Sequence, residues 1–256
     1  LGYRKSANAR ASLSLRGTLG GKNTGPPFIE RMSIEAPGLR ANGSISINVE
    51  GTLNRARFDR VRLGDWLDAP IILTGRGRNR PPSITIDGGS LDLRRMPAQN
   101  SGGSGARANR AAAVPMSVTL DRMQVNKDIF VRNFQGTFQS NNGLSGEFKG
   151  LLNGKARITG RTIPRNGTTG FQIKSKNAGA AIKAAGLLKN ANEGALTLTL
   201  MPRKNAGHYD GQLNITNIRI KDAPSALELL SVASGIGLLE QFDGQGLMFT
   251  EVSSTF

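Results

Sequence analysis

Along most of this chain apolar and polar residues alternate one by one. The clearest run is Ser44-Ile45-Ser46-Ile47-Asn48-Val49, in which Ile45, Ile47 and Val49 would share one face of a sheet. The same period-two rhythm predicts strands over 12–20, 28–35, 51–63, 71–74, 83–86 and 90–93. It resumes over 116–123, 129–140, 144–152, 156–162, 171–174, 195–201, 209–220 and 247–252. Asn141-Asn142-Gly143, Asn153-Gly154 and Asn166-Gly167 read as hairpin turns, because Asn and Gly tolerate the positive φ such turns require. Asp87-Gly88-Gly89 is expected to join 83–86 to 90–93 in the same way, and Asp68-Ala69-Pro70 to turn the chain into Ile71–Thr74. Within 209–220, Leu213 and Ile215 are two apart but Ile218 follows three later, which predicts a β-bulge at Thr216-Asn217.

Two stretches change period. Asn177 can cap a helix in which Ala178, Ala181, Ile182, Ala185 and Leu188 repeat at helical spacing, with Gly186 limiting its length, so a helix is expected near 178–188. Asp222 can cap a second one near 223–241, with Pro224 in its first turn. There Leu227, Leu230, Ala233, Ile236 and Leu239 share a face that Leu229, Val232 and Leu238 widen. Gly235 and Gly237 weaken this helix or mark a bend, and Gly244 and Gly246 close it before the last strand. The expected fold class is mainly β: an extended antiparallel sheet, curved into a groove (a β-taco) or folded as a sandwich, with two short helices near the C-terminal end. Residues 1–96 form one β-rich segment, 97–115 (PAQNSGGSGARANRAAAVP) a flexible linker or insertion, and 116–256 a second segment. A Gly-x-Leu-Asn echo at 51–54 and 211–214, each followed by an Asp-Ala-Pro, fits a sheet that grows by repeating similar hairpins.

Composition narrows the function classes. The 33 glycines suit many tight turns, and without cysteine there is no disulfide framework, thiolate metal site or cysteine nucleophile. The chain opens at Leu1 and closes inside a strand pattern at Ser254-Thr255-Phe256, so a piece of a longer protein is expected. Net charge is +16, which raises nucleic acid as a partner, but the excess is spread: 18 Lys and Arg against 8 Asp and Glu over 1–115, and 16 against 10 over 116–256. Arg55, Arg57, Arg60 and Arg62 are expected to line one face of a strand, and Arg76, Arg78 and Arg80 one face of another. Phe58 is the only aromatic residue within either arginine run, and Trp66, Tyr3 and Tyr209 are scattered, so the stacking platforms of a single-strand binder are nearly absent and no nucleic acid is expected.

Candidate chemistry is sparse. His208 is the only histidine, which removes any two-histidine metal site, and its Tyr209-Asp210 neighbourhood reads as a surface strand entry. Gly102-Gly103-Ser104-Gly105 lacks the second glycine of a nucleophile elbow, and Gly75-Arg76-Gly77 lacks the third glycine of a dinucleotide loop. The paired carboxylates Asp65/Asp68 and Asp87/Asp92 fit turns and caps. The reading is a non-enzyme with no cofactor and no metal. What remains is a set of strands with one aliphatic face: Ile45, Ile47, Val49; Ile71, Leu73; Ile84, Ile86; Val118, Leu120; Leu196, Leu198, Leu200. Such faces must be covered, by a second sheet in a sandwich or by an apolar ligand in a groove, and periodicity alone makes the sandwich core the ordinary solution.

Residues 179–256 resemble the C-terminal region of the AsmA-like family of Gram-negative envelope proteins, of the YhdP type. The likeness lies in a short helix ending at a glycine (Ala181 to Gly186), a Gly-x-Leu-x-Leu strand (Gly194, Leu196, Leu198) and a Tyr-x-Gly-x-Leu strand (Tyr209, Gly211, Leu213). A Lys-Asp-Ala-Pro entry to a leucine-rich run (Lys221 to Leu230) and a Gly-x-Gly-Leu-x-Phe exit (Gly244 to Phe249) complete it. Residues 54–94 add Phe58, Leu63-Gly64, Trp66 and Gly88 to Arg94, so about half the chain is covered. The resemblance implies a periplasmic β-groove with an upstream inner-membrane anchor, carrying phospholipids towards the outer membrane. It implies phospholipid acyl chains as partners; the +16 charge adds attraction to anionic membrane surfaces as a further expectation, and envelope proteins are the partners of the alternative reading. The lipid-contact positions would then be the aliphatic residues above with Leu227, Leu230, Ile236 and Leu239. A structural or regulatory envelope protein acting in outer-membrane assembly through protein contacts is the alternative. Residues 222–256 hold no Lys or Arg, so the second helix lacks the basic face of one that lies on an anionic membrane.

Overall fold

A computed structural model describes residues 9–21, 25–97, 113–140, 143–165, 168–203, 208–221, 235–239 and 246–256, the side chains of 235–239 excepted. Among them the chain is mainly β, with one short helix, and it divides into two compact units. Leu1–Asn126 with Gln135–Asn141 form the first, and Lys127–Phe134 with Asn142–Phe256 the second.

The first unit carries β1 (Ser12–Thr18), β2 (Phe28–Ala36), β3 (Leu39–Ile47), β4 (Leu53–Leu63), β5 (Leu67–Thr74), β6 (Ser83–Asp87), β7 (Ser90–Asp92) and β8 (Val114–Gln124). β1 to β6 pair antiparallel in chain order. β6 and β7 do not form the expected hairpin. Both pair with β5, and both lie parallel to β8, so they are two pieces of one interrupted strand and the sheet is not wholly antiparallel. The interruption is Gly88-Gly89, at φ 105° and 83°. Gly89 N–H donates to Asp121 Oδ2 at 2.9 Å and its carbonyl accepts from the Asp121 N–H at 2.9 Å, while a Cβ at this glycine would collide with the Asp68 carbonyl.

Three further expectations are corrected in this unit. Asp68-Ala69-Pro70 is strand, not turn. Pro70 is tolerated because it falls where the β4–β5 register shifts, between Phe58 and Val61, and between the β6 and β7 pairings, so its missing N–H breaks no ladder. Val49 lies beyond β3, because the Asn48 Oδ1 accepts from the N–H groups of Glu50 and Thr52 and turns the chain there. Arg76, Arg78 and Arg80 follow β5 in a turn rather than a strand, with Gly77 (φ 81°) and Asn79 (φ 60°) bending it before Pro81-Pro82. Arg55, Arg57, Arg60 and Arg62 are all exposed, as expected of one face. Their spacing alone would not give this; the bulge between Phe58 and Val61 does.

β9 (Phe130–Ser140) contributes its first five residues to the second unit and the rest to the first. The second unit continues with β10 (Leu144–Leu152), β11 (Ala156–Arg165), β12 (Thr168–Ser175), α1 (Ala178–Ala184), β13 (Ala191–Pro202), β14 (Tyr209–Ile220), β15 (Gly235–Leu239) and β16 (Leu247–Thr255). β10 to β14 form the expected antiparallel meander; β16 then pairs with β14, and β15 with β16. The helix expected near 223–241 is corrected in part. Gly235–Leu239, with Ile236 and Leu239, is a strand paired with β16, and Leu227 and Leu230 lie outside the described residues. α1 is shorter than 178–188. Asn177 caps its start through a bond from Ala180 N–H at 2.8 Å, as expected. Its end is a Schellman motif: Gly186 at φ 76° donates to the Lys183 carbonyl, and Leu187 to that of Ile182. Leu188 therefore leaves the helix but still packs on the core below it.

The irregularity at Thr216-Asn217 is real but is not a register-shifting bulge. Asn217 adopts φ 53° opposite Gly194 at φ 75°, so both strands kink together and the pairing holds from Ala191↔Ile220 to Pro202↔Tyr209. Ile215 and Ile218 consequently both end buried despite their three-residue spacing.

Candidate apolar sheet faces

Pairing register sets the apolar side chains of the first unit in rows across the strands. Ile29, Ile45, Ala56, Leu73, Ile84 and Met116 are successive cross-strand partners from β2 to β8. Met32, Gly43, Phe58, Ile71, Ile86 and Val118 form the next row. Ile34, Ala41, Val61 and Ala69 follow, and Leu39, Leu63, Leu67, Leu91 and Met123 end the set. Partners in such rows stand about 5 Å apart at Cβ, so each row is a continuous apolar strip.

Burial divides this face along the strands. Leu63, Leu67, Ala69 and Ile71 are at most 4% exposed and cluster with Ala41 and Val61. Towards the other ends of the strands Ile45, Ile47, Leu73 and Ile84 are only half-buried, with Ala56 buried among them, and Ile86 and Val118 are half-buried beside buried Ile71. Among the described residues of this unit no helix or second sheet lies over the face. Leu120 belongs to the buried part, and Val49, 87% exposed, belongs to neither. On edge strand β1, Leu13 and Leu15 extend the strips but stand 61% and 53% exposed.

The second unit repeats the division. α1 lies over one end, where Ala178 and Ile182 pack with Ile215, Ile218, Ile220, Phe249 and Val252. Ala181 and Ala184 pack with Ala156, and Leu196 reaches the rim of both clusters. Gly179 lets the helix approach β13, since a Cβ there would collide with the Asn192 backbone. Away from α1 a row of Phe148, Gly160, Ile173, Leu198 and Leu213 is half-buried, and Phe171 and Leu200 sit in the row beside it. Aromatic rings collect at this open end. Phe148 lies over Gly160 and stacks on Phe134 at 5.6 Å; Phe171 meets Tyr209 at 6.1 Å; Phe256 lies over Gly211.

α1 is fastened by Asn153, which sequence pattern marks only as a turn residue. Asn153 stands at φ 46° beside Gly154 at φ 71°, as hairpin turns demand. Its Oδ1 accepts from Phe130 N–H at 2.8 Å, and its Nδ2 donates to the Asp128 carbonyl at 2.9 Å and the Ala184 carbonyl at 2.7 Å. One side chain thus ties the start of β9, the β10–β11 turn and an orphan carbonyl at the end of α1.

Ion pairs lie off the apolar faces. Arg60 grips Asp68 through two bonds of 2.7 Å, with Arg62 at 3.3 Å, and Arg94 grips Asp92 at 2.6 and 2.9 Å. The hydrogen bond from Arg60 holds the Asp68 carboxyl below the usual carboxylate range, and that from Arg94 does the same for Asp92. His208 is exposed, and among the described residues no three His, Asp or Glu gather as metal ligands. No helix of the described residues is long and apolar enough to cross a membrane. Comparison with protein-family profiles, curated proteins and solved structures gives no match.

Proposed function

We propose that this chain is a segment of a bridge-like lipid-transfer protein of the bacterial periplasm, holding phospholipid acyl chains against its apolar sheet faces without transforming them. The observation that supports this reading is the incomplete burial of the aligned aliphatic rows: in each unit a closed cluster passes into half-buried residues over which no second layer of that unit's own described elements lies. An acyl chain laid along the open ends would touch one methyl-rich row after another, and each CH₂ buried contributes about 0.8 kcal/mol. The resemblance of residues 179–256 to AsmA-like proteins points the same way, to inner-to-outer membrane phospholipid transport and outer-membrane integrity.

Native mass spectrometry after mild purification, followed by lipid extraction, tests it. Bound phospholipid near stoichiometric amounts is expected. It should fall in Leu73→Asp and Leu198→Asp, which charge the open rows, and persist in Val49→Asp, outside them. A folded chain without lipid under several extraction conditions refutes the reading and leaves a scaffolding role through protein contacts.

A further inference from the structure

The strands of the second unit have another face. Arg157, Thr159 and Arg161 follow one another at two-residue spacing on β11, on the side away from buried Ile158. Pairing sets Lys149 of β10 opposite Thr159 on one side and Lys174 of β12 opposite it on the other. Thr159 is therefore the centre of four cations, two at about 5 Å across the strands and two at about 7 Å along its own. All five residues are exposed. Among the described residues none of the four cations has an ion pair, and the nearest carboxylate in the ladder is Glu147, opposite Arg161. Like charges on neighbouring strands repel. In the first unit Arg57, Arg60, Arg62, Arg94 and Arg95 are paired with carboxylates, whereas Arg16, Arg31, Arg40 and Arg55 carry no ion pair among the described residues and serve below as the comparison set.

Neutral hydrogen-bonding groups continue the same rows. Thr197, Asn214 and Ser253 extend the row from Lys174, and Gln172, Thr199, Gln212 and Thr255 extend the row from Arg161. No aromatic ring stands among them, so a single nucleic-acid strand would find no stacking platform. The cations are long, exposed and spread on an open sheet rather than converging in a pocket, so the fitting partner is one whose anions redistribute freely beneath them.

We propose that this face docks on the surface of an anionic phospholipid bilayer, with Lys149, Arg157, Arg161 and Lys174 gathered over head-group phosphates. It uses the side of the strands opposite the acyl-chain face and does not depend on that reading.

Co-sedimentation with vesicles tests it, comparing phosphatidylcholine alone with phosphatidylcholine containing phosphatidylglycerol, in about 0.05 M and about 0.5 M salt. Binding is expected only with phosphatidylglycerol and only at low salt. Changing all four residues to Gln should weaken it at least about twentyfold, since each basic residue near an anionic surface contributes about fivefold and two effective contacts suffice. The double change Arg157→Gln/Arg161→Gln should give about half that effect on a logarithmic scale, and serves if the quadruple variant unfolds. A matched quadruple change in the first unit, Arg16, Arg31, Arg40 and Arg55 to Gln, removes the same charge and should leave most of the binding. Equal losses in the two quadruple variants would assign the effect to bulk charge and overturn the proposal. So would equal binding to neutral vesicles, or tighter binding of a single-stranded oligonucleotide that the same four changes abolish. Lipid co-purifying with the chain should be unaffected by these changes, which separates failure here from failure of the acyl-chain reading.

Discussion

Replacing Asn153 by Ala tests whether α1 is held down by one side chain. The change removes three hydrogen bonds, each contributing about 1 kcal/mol net, and leaves the Phe130 N–H without its side-chain acceptor. It also places a Cβ residue without local polar bonding at φ 46°, which costs about 1 kcal/mol more. The bond to Asp128 is exposed and is discounted, giving about 3 kcal/mol in all. For a unit of this size that lowers Tm by about 6–12 °C. Asn153→Gly separates the two contributions, because glycine relieves the backbone strain but restores no bond; it should lose about 2 kcal/mol. Urea unfolding followed by circular dichroism gives both values, and amide exchange at Ala184 to Leu187 reports whether the end of α1 opens first. A loss below about 0.5 kcal/mol in Asn153→Ala, or a glycine variant as unstable as the alanine one, would refute the argument.

Gly179→Ala should cost at least about 2 kcal/mol, because the new Cβ meets strand backbone that cannot move aside; Gly186→Ala, with open space around its Cβ position, should cost only about 1 kcal/mol of left-handed strain, and thermal melts rank the two. Gly89→Ala should be as damaging as Gly179→Ala, since positive φ and collision with the Asp68 carbonyl coincide. The pH dependence follows from Asp68 and Asp92, whose folded pKa values lie below their unfolded ones. Their contribution is fully present above the unfolded carboxylate value near 3.9 and is lost as pH falls through the depressed folded values. Asp68→Asn should therefore be less stable than the parent at neutral pH and converge with it in strong acid; a difference that stays constant across the titration would contradict the pairing with Arg60.

Strand positions were legible because a half-buried strand writes its two faces into alternate residues, and β10 and β14 match the expected limits. The hairpin at Asn153-Gly154 was legible for the same local reason. What the sequence hid depends on partners far along the chain. Gly88-Gly89 looks like a turn until β8 lies beside it and supplies Asp121. Pro70 looks like a strand breaker until the neighbouring ladders are seen to lapse at that position. At Gly235–Leu239 the apolar spacing fitted a helix, but pairing with β16 fixes it as a strand. The aliphatic candidates carried no mark that separates Leu63 or Leu67, closed in, from Leu73 or Leu198, half-open, since exposure depends on what lies above the sheet rather than on period.

The interruptions of the alternation preserve a separation between two chemistries. A strand with period two can keep cations on one face and aliphatics on the other only while its register holds, and a one-residue slip would exchange them. On β4, Ala56 and Phe58 are followed by Val61 and Leu63, a three-residue step that would turn Arg60 and Arg62 inward if the strand were regular. The bulge between Phe58 and Val61 absorbs the step, so Val61 and Leu63 are buried while all four arginines stay in water. On β14 the same step from Ile215 to Ile218 is absorbed differently, by left-handed Asn217 facing Gly194. Asn217→Val should therefore damage more than its exposed position suggests: a β-branched residue at φ 53° costs about 2 kcal/mol or more, and restoring extended backbone would swing either Ile215 or Ile218 out of the core beneath α1. Asn217→Gly, free to keep the left-handed turn, should stay within about 1 kcal/mol of the parent in urea unfolding. Equal tolerance of valine and glycine would mean that the strand can slip without penalty, and that the separation of faces is held by something other than this kink.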